Sequence, residues 1–245
     1  MGQKSLLCHT CNKKYKVSSV SVIYNNTLGI VEDLYLNTSH NERTALISQL
    51  HLLEIIDILI ADRGYFSYDV ICKICNNTAS QFIFRIARSK MMTFPIMNNV
   101  TDHFDRQIIL SYKNKETKQI TKTSVRFIGY RLFSYESNKY EDYYIITNIL
   151  DKKKYTMDII KKLYTRRWEI ETCIKTLKTR FSMYDNTSKS ENLVKQELYS
   201  TAILSLINRL LTVFTLNSVP NINIRKTDKV YTVNSAVSTN IIKQL

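Results

Sequence analysis

The sequence predicts an α/β fold, and three features carry that expectation. Ile56–Ala61 is a short continuous apolar run that closes on Asp62, the pattern of a strand buried on both faces. Two long helical stretches, about 155–180 and 191–216, dominate the C-terminal part of the chain. Between them and the apolar run, residues 89–150 hold β-branched and aromatic runs separated by Lys-, Asn- and Glu-rich turns. At 245 residues the chain can bury one substantial core. It reads as a single domain, with core segments 15–88 and 151–217 and a β-rich insertion over 89–150.

Each element has its own signal. Residues 15–24 (YKVSSVSVIY) alternate well enough for a strand, Thr27–Gly29 forms a turn, and Ile30–Leu36 returns as a second strand. Thr38–Asn41 supplies polar start signals for a helix over 42–53. The strand over 56–61 then places Asp62 at its carboxyl edge, where open α/β sheets carry their chemistry. Gly64 allows a tight exit into a helix over 67–77, and Gln81–Ala87 is another strand. Within the insertion, strands are expected at Gln107–Tyr112, Thr123–Phe133 and Tyr143–Leu150, with no helix. In the last long helix Leu198, Ile203, Leu206, Leu210, Leu211 and Phe214 mark a core element, and Val219–Leu245 reads as a polar tail.

The net charge of +14 fits a polyanionic partner, most simply nucleic acid, because Lys and Arg recur along almost the whole chain. No apolar run approaches the ~20 residues that span a bilayer, and Met1–Gln3 lead into no signal-peptide core. An intracellular address is therefore expected, cytoplasmic or nucleoid, or nuclear in a eukaryote. Of five cysteines, Cys8 and Cys11 form CHTC, and Cys72 and Cys75 form CKIC. Two such pairs would supply four thiolates to a structural zinc. The competing reading packs Cys72 and Cys75 as small hydrophobes at i, i+3 on a helix. The long gap between the pairs favours packing over zinc.

The most informative stretch is YTRRWEIETCIKTLK, Tyr164 to Lys178. At about 100° per residue, Tyr164, Arg167, Glu171 and Lys178 fall inside one ~60° arc of a helix. One carboxylate, two cations and a phenol thus point one way, an arrangement suited to a metal meeting a phosphate. Lys175 lies near the arc as a solvated lysine, and Trp168 reads as core.

The spacing of Tyr164, Arg167, Glu171 and Lys178 resembles the signature of DDE transposases of the insertion sequence 4 family, and matches every fixed position. Upstream, IDILIADRGYFSYDVI (residues 56–71) resembles the segment carrying that family's second catalytic aspartate, with Asp62 followed by Arg63, Gly64 and Tyr65. The resemblance covers about residues 17–216 and implies a ribonuclease-H-like mixed sheet with flanking helices and a β-rich insertion. It implies metal-dependent DNA cleavage and strand transfer at transposon ends, using Mg²⁺ or Mn²⁺ held by two aspartates and a glutamate. Asp62 and Glu171 take the places of the second aspartate and the glutamate. Arg167, Lys178 and Tyr164 would meet DNA at the cleaved end, beside Arg63. A homodimer on paired ends is implied, with no membrane or small-molecule cofactor.

Read without the resemblance, Asp62 is an N-cap or turn aspartate and Glu171 a surface glutamate pairing with Arg167 or Lys175. One departure from the family pattern matters. Upstream of Asp62 the chain offers only Asp33, on a strand position where relatives carry a non-catalytic acid, and Asp57, at the wrong end of its strand. The opening strand with its aspartate is read as missing, so the chain reads as N-terminally truncated. An exposed sheet edge would follow. A catalytically inactive DNA-binding fragment or regulator is the alternative function, and a decaying remnant a third.

Overall fold

A computed structural model describes residues 2–7, 19–37, 41–77, 80–91, 103–113, 118–134, 138–183, 190–218 and 234–244. In chain order the strands are β1 (Gly2–Leu7), β2 (Ser19–Asn25), β3 (Ile30–Asn37), β4 (Ile58–Ala61), β5 (Gln81–Arg85), β6 (Phe104–Lys113), β7 (Ile120–Ser134) and β8 (Lys139–Thr147). The helices are α1 (Glu42–Gln49), α2 (Tyr68–Asn77), the single turn α3 (Arg88–Met91), α4 (Met157–Thr165), α5 (Arg167–Arg180), α6 (Glu191–Ser218) and α7 (Ser235–Gln244). All eight strands join one sheet in the order β3-β2-β1-β4-β5-β8-β7-β6.

The five strands β3-β2-β1-β4-β5, a meander continued by two parallel strands, form the ribonuclease-H-like mixed sheet. The strands expected as an insertion do not form a separate layer. β8 pairs antiparallel with β5 and carries the same sheet on through β7 and β6. Alternate residues of β4 serve the two sides, as its apolar sequence requires. Leu59 and Ala61 pack with α1 and α2, while Ile60 packs with Ile160 and Tyr164 of α4. A third cluster joins Val20, Val22 and Leu34 to Ile170, Ile174 and Leu177 of α5.

The opening strand is present. Gly2–Leu7 pairs antiparallel with β2 and parallel with β4, so the expected exposed edge is filled. Its sequence, GQKSLL, lacks an apolar pattern, and pairing on both sides makes it a strand. Other bounds moved as well. Ile55 and Ile56 lie in a turn, with Ile56 85% exposed, so burial in this segment starts at Leu59. α1 ends at Gln49 and tightens into a 3₁₀ turn at Leu50–Leu52. The expected helix over 155–180 is two helices meeting at Arg166. There Asn26 Nδ2 donates to the Arg166 carbonyl at 3.2 Å and the Arg166 N–H bonds Leu163 O, which ends the first helix.

The expected core role of α6 holds only for its inner face. Leu198 is buried, but Ile203, Leu210, Leu211 and Phe214 are exposed. By length and composition α6 is apolar enough to cross a bilayer, although polar residues interrupt its apolar run. Its inner face packs on the sheet beside α5. Part of the expected polar tail is the helix α7, which lies against α6.

Gly129 of β7 sits against the ring of Phe104 on β6, and a Cβ there would lie 2.1 Å from its Cε1. Gly129→Ala is therefore expected to cost about 1–3 kcal/mol through overpacking, read from urea unfolding. Combining it with Phe104→Leu should return part of the loss.

Candidate active site

Asp62 stands where the sequence placed it, at the carboxyl end of β4. Its Oδ1 accepts the Arg63 N–H at 2.7 Å and caps the 3₁₀ turn Arg63–Tyr65, so the turn-aspartate role is real. The Tyr164 hydroxyl reaches the same oxygen at 3.5 Å, across 102 residues of sequence. The contacts that hold Asp62 thus fall on Oδ1. Gly64 lies close to α1: its carbonyl accepts from Arg43 Nε, and a Cβ would meet only the end of the Glu42 side chain, 2.5 Å from Oε2.

Thr156 caps α4 by accepting from the Ile159 N–H, and α4 delivers Tyr164 into the core beneath Asp62. Burial first, and then the negative charge of Asp62, push the Tyr164 hydroxyl above its ordinary range, so it stays a proton donor. One turn on, Arg167 opens α5. Its guanidinium lies 5.9 Å from the Tyr164 ring centre and 4.9 Å from the Trp168 ring centre. Nη1 donates to Glu171 Oε1 at 2.5 Å, whereas Nε is buried with no hydrogen-bond partner among the described residues. Arg167 is only 7% exposed, and Trp168 is 61% exposed. Trp168 is therefore not core; it lies on the outer side of Arg167.

Lys178 lies two turns beyond Glu171 on the same face and is half-buried, and burial lowers its pKa. Lys175 is exposed, as read from its position. Arg63 is exposed on the turn after Asp62. The structure thus brings Asp62, Tyr164, Arg167 and Glu171 into one chain of contacts at the α4–α5 junction, with Lys178 further along α5.

Asp33 and Asp57 stay away from it. Asp33 is on β3, two strands from β4, and accepts from Gln49 Nε2 at 2.6 Å. Asp57 caps the opposite end of β4 through the Glu54 N–H. β1 aligns Gly2 with Ile60 and Gln3 with Ala61, so the next step sets Lys4 beside Asp62 along the backbone. No acid occurs in β1. On the other flank Phe84 aligns with Ala61, and the next step sets Arg85 beside Asp62. Arg85 stacks on the Tyr143 ring at 4.3 Å and belongs to this edge, though the sequence reading passed over it. The signal was available: two parallel strands ending in step, one in Asp and one in Arg.

A cleft of about 360 Å³ opens on the other side of α5, between α5, α6 and the β2–β3 turn, lined by Tyr24, Glu169, Cys173 and Arg209. It does not include the acid pair. Cys8 and Cys11 lie outside the described residues. Cys72 and Cys75 lie on α2, with Cys75 packed against the core, and burial drives both thiols upward, Cys75 to about 11. No group of three metal-binding side chains occurs among the described residues.

Compared with known families, residues 2–207 match the model of the transposase DDE domain. A search of curated proteins finds no match.

Proposed function

Because the chain belongs to the transposase DDE-domain family, we propose that it acts on transposon-end DNA in the manner of insertion sequence 4 transposases, with Asp62 and Glu171 as its surviving metal-binding carboxylates. The observation that carries this reading is the contact chain from Asp62 through Tyr164 and Arg167 to Glu171. It joins two distant sequence motifs at the carboxyl edge of a ribonuclease-H-like sheet.

Transposases of this family generally use divalent metal ions. An aspartate and a glutamate are oxygen donors of the type that suits one hard cation of the Mg²⁺ or Mn²⁺ type, whose remaining ligands would be water and phosphate oxygen. Such an ion would polarise a phosphodiester oxygen and activate a nucleophile. The third acid of a two-metal site is not among the described residues. The chain's own groups do the rest. Tyr164 donates to Asp62, and Arg167 ion-pairs with Glu171. Arg167, Lys178 and Arg63, with Arg85 on the adjacent strand, present cations to a phosphate backbone, Arg as a fork and Lys as a point charge.

On this reading the chain binds DNA and, by itself, cleaves it little or not at all. Incubating the purified protein with a terminal-repeat duplex in Mg²⁺ or Mn²⁺ tests this. Nicking that disappears in Glu171→Gln would show that a third ligand is supplied after all.

The alternative, an inactive DNA-binding regulator of a complete transposase, is favoured by one observation: the strand beside Asp62 carries no acid, while the phosphate-facing cations are retained. It predicts that log affinity falls linearly with log salt, by about 0.9 per phosphate neutralised on duplex DNA. An affinity indifferent to salt would remove DNA binding from both readings.

A further inference from the structure

α6 turns its apolar residues outward. Tyr199, Ile203, Ile207, Leu210, Val213 and Phe214 share one ~120° arc at about 100° per residue. All six are exposed, Phe214 at 70%. The opposite face is spoken for, with Leu198 and Leu204 packed against the β2–β3 cluster and Ser205, Asn208 and Thr212 lining the cleft beside α5. α7 lies against α6, its own Thr239 and Ile242 buried, and the six residues of the arc stay exposed among the described residues. A contiguous apolar stripe over four helical turns is more than a monomer ordinarily leaves in water.

We propose that this stripe is the seam by which two copies of the chain associate, α6 against α6, antiparallel about a twofold axis. This names the surface for the pairing of copies expected from the resemblance. The occupant is argued from the pattern. A twofold contact uses the same patch twice, so the patch must complement its own reversal. Reversed about the point between Leu206 and Ile207, the stripe places Ile203 opposite Leu210 and Tyr199 opposite Phe214, with Ile207 facing the half-buried Leu206 and Val213 facing Ser200. Aliphatic meets aliphatic in the centre and aromatic meets aromatic at the ends. An unrelated partner would impose no such symmetry.

Charge agrees. Each copy carries +14, yet the only charged residue between Tyr199 and Phe214 is Arg209. It lies off the arc, where its Nε donates to Leu28 O. Two basic copies therefore meet on a neutral strip. The stripe offers on the order of 600 Å² per copy, near the ~800 Å² per partner of a stable interface. α6 covers β3, the sheet edge opposite β6, so the seam lies away from the insertion.

Sedimentation velocity on the full chain without DNA tests the proposal, and its outcome is separate from that of the DNA assays. The wild type is expected to dimerise at micromolar concentration. Ile203→Glu and Leu210→Lys are each expected to weaken the dimer by about 100-fold, with unchanged circular dichroism, because each sets a charge against an apolar partner at two symmetric contacts. Placing both substitutions in one chain is expected to restore association, since the antiparallel register brings each new carboxylate against the partner's new ammonium. A wild type that stays monomeric at high concentration overturns the proposal, as does a dimer indifferent to Ile203→Glu. Failure of the paired variant to recover would overturn the antiparallel register. Flotation of the wild type with lipid vesicles, lost in Leu210→Lys, would assign the stripe to a bilayer instead.

Discussion

Asp105→Ala is expected to cost about 3–5 kcal/mol of stability, because it strands a cation inside the protein. The Arg126 side chain has no exposure at all. Its Nε and Nη2 donate to the two carboxylate oxygens of Asp105 at 2.8 and 2.5 Å, and its Nη1 donates to the Tyr155 carbonyl at 2.6 Å. Without Asp105 only that carbonyl remains, and no water replaces the pair cheaply at a fully buried guanidinium. Lys152, the second partner of Asp105, is half-exposed and returns to solvent at little cost. The cluster ties β6 and β7 to the turn that starts α4, so its loss should also loosen Tyr164. Urea unfolding measures the effect; a loss below about 1 kcal/mol would mean that the guanidinium reaches water after all. The double variant Asp105→Leu, Arg126→Met should recover much of the stability, since an apolar pair of similar volume leaves no charge behind.

The same carboxylate predicts an acid dependence. Burial pulls the Asp105 pKa upward, but the hydrogen bonds from Arg126 and Lys152 outweigh it, and the net shift is downward. A group depressed in the folded state contributes stability that is present above its unfolded pKa of about 3.9 and is lost as pH falls through the folded value. Wild-type stability should therefore fall below about pH 4, and the Asp105→Ala variant should lack that component.

What could be read from the sequence was what local pattern controls. Ile56–Ala61 announced itself as a two-sided strand, of which Ile58–Ala61 is one, and Asp62 with the glycine two residues on marked its exit. The shared face of Arg167, Glu171 and Lys178 was legible because one helix fixes their spacing. The misses come from long-range pairing. β1 carries no pattern of its own and becomes a strand by fitting between β2 and β4. At the break the Arg166 carbonyl is met by Asn26, 140 residues away. Trp168 was assigned to the core by its type, yet the side chain that occupies the interior at that point is Arg167, held by Glu171. Along α6 the periodicity gave the helix, but an apolar residue looks the same in sequence whether it faces a sheet or a partner.

Arg167→Ala is expected to lower DNA affinity about tenfold at low salt and to reduce the slope of log affinity against log salt by about one, the signature of a lost phosphate contact. The stability loss should be smaller than for Asp105, about 1–2 kcal/mol. The reason lies in the partners: Glu171 is 27% exposed and can re-solvate, whereas Arg126 has no such route. Arg167→Lys should not restore binding, because an ammonium can neither keep Glu171 on one branch nor leave a second N–H free to face a phosphate. Glu171→Gln moves the other way. With metal chelated, removing this carboxylate frees the guanidinium and takes a negative charge away from the approaching backbone, so affinity should rise. The two effects should not add, since Glu171→Gln on an Arg167→Ala background releases no guanidinium, and a double-mutant cycle would expose the coupling. Lys178→Ala should lower affinity with no such coupling, as its place two turns beyond Glu171 requires. If Arg167→Ala binds DNA as the wild type does, with the same salt slope, then Arg167 acts on Glu171 alone and the phosphate must be met by Lys178, Arg63 and Arg85.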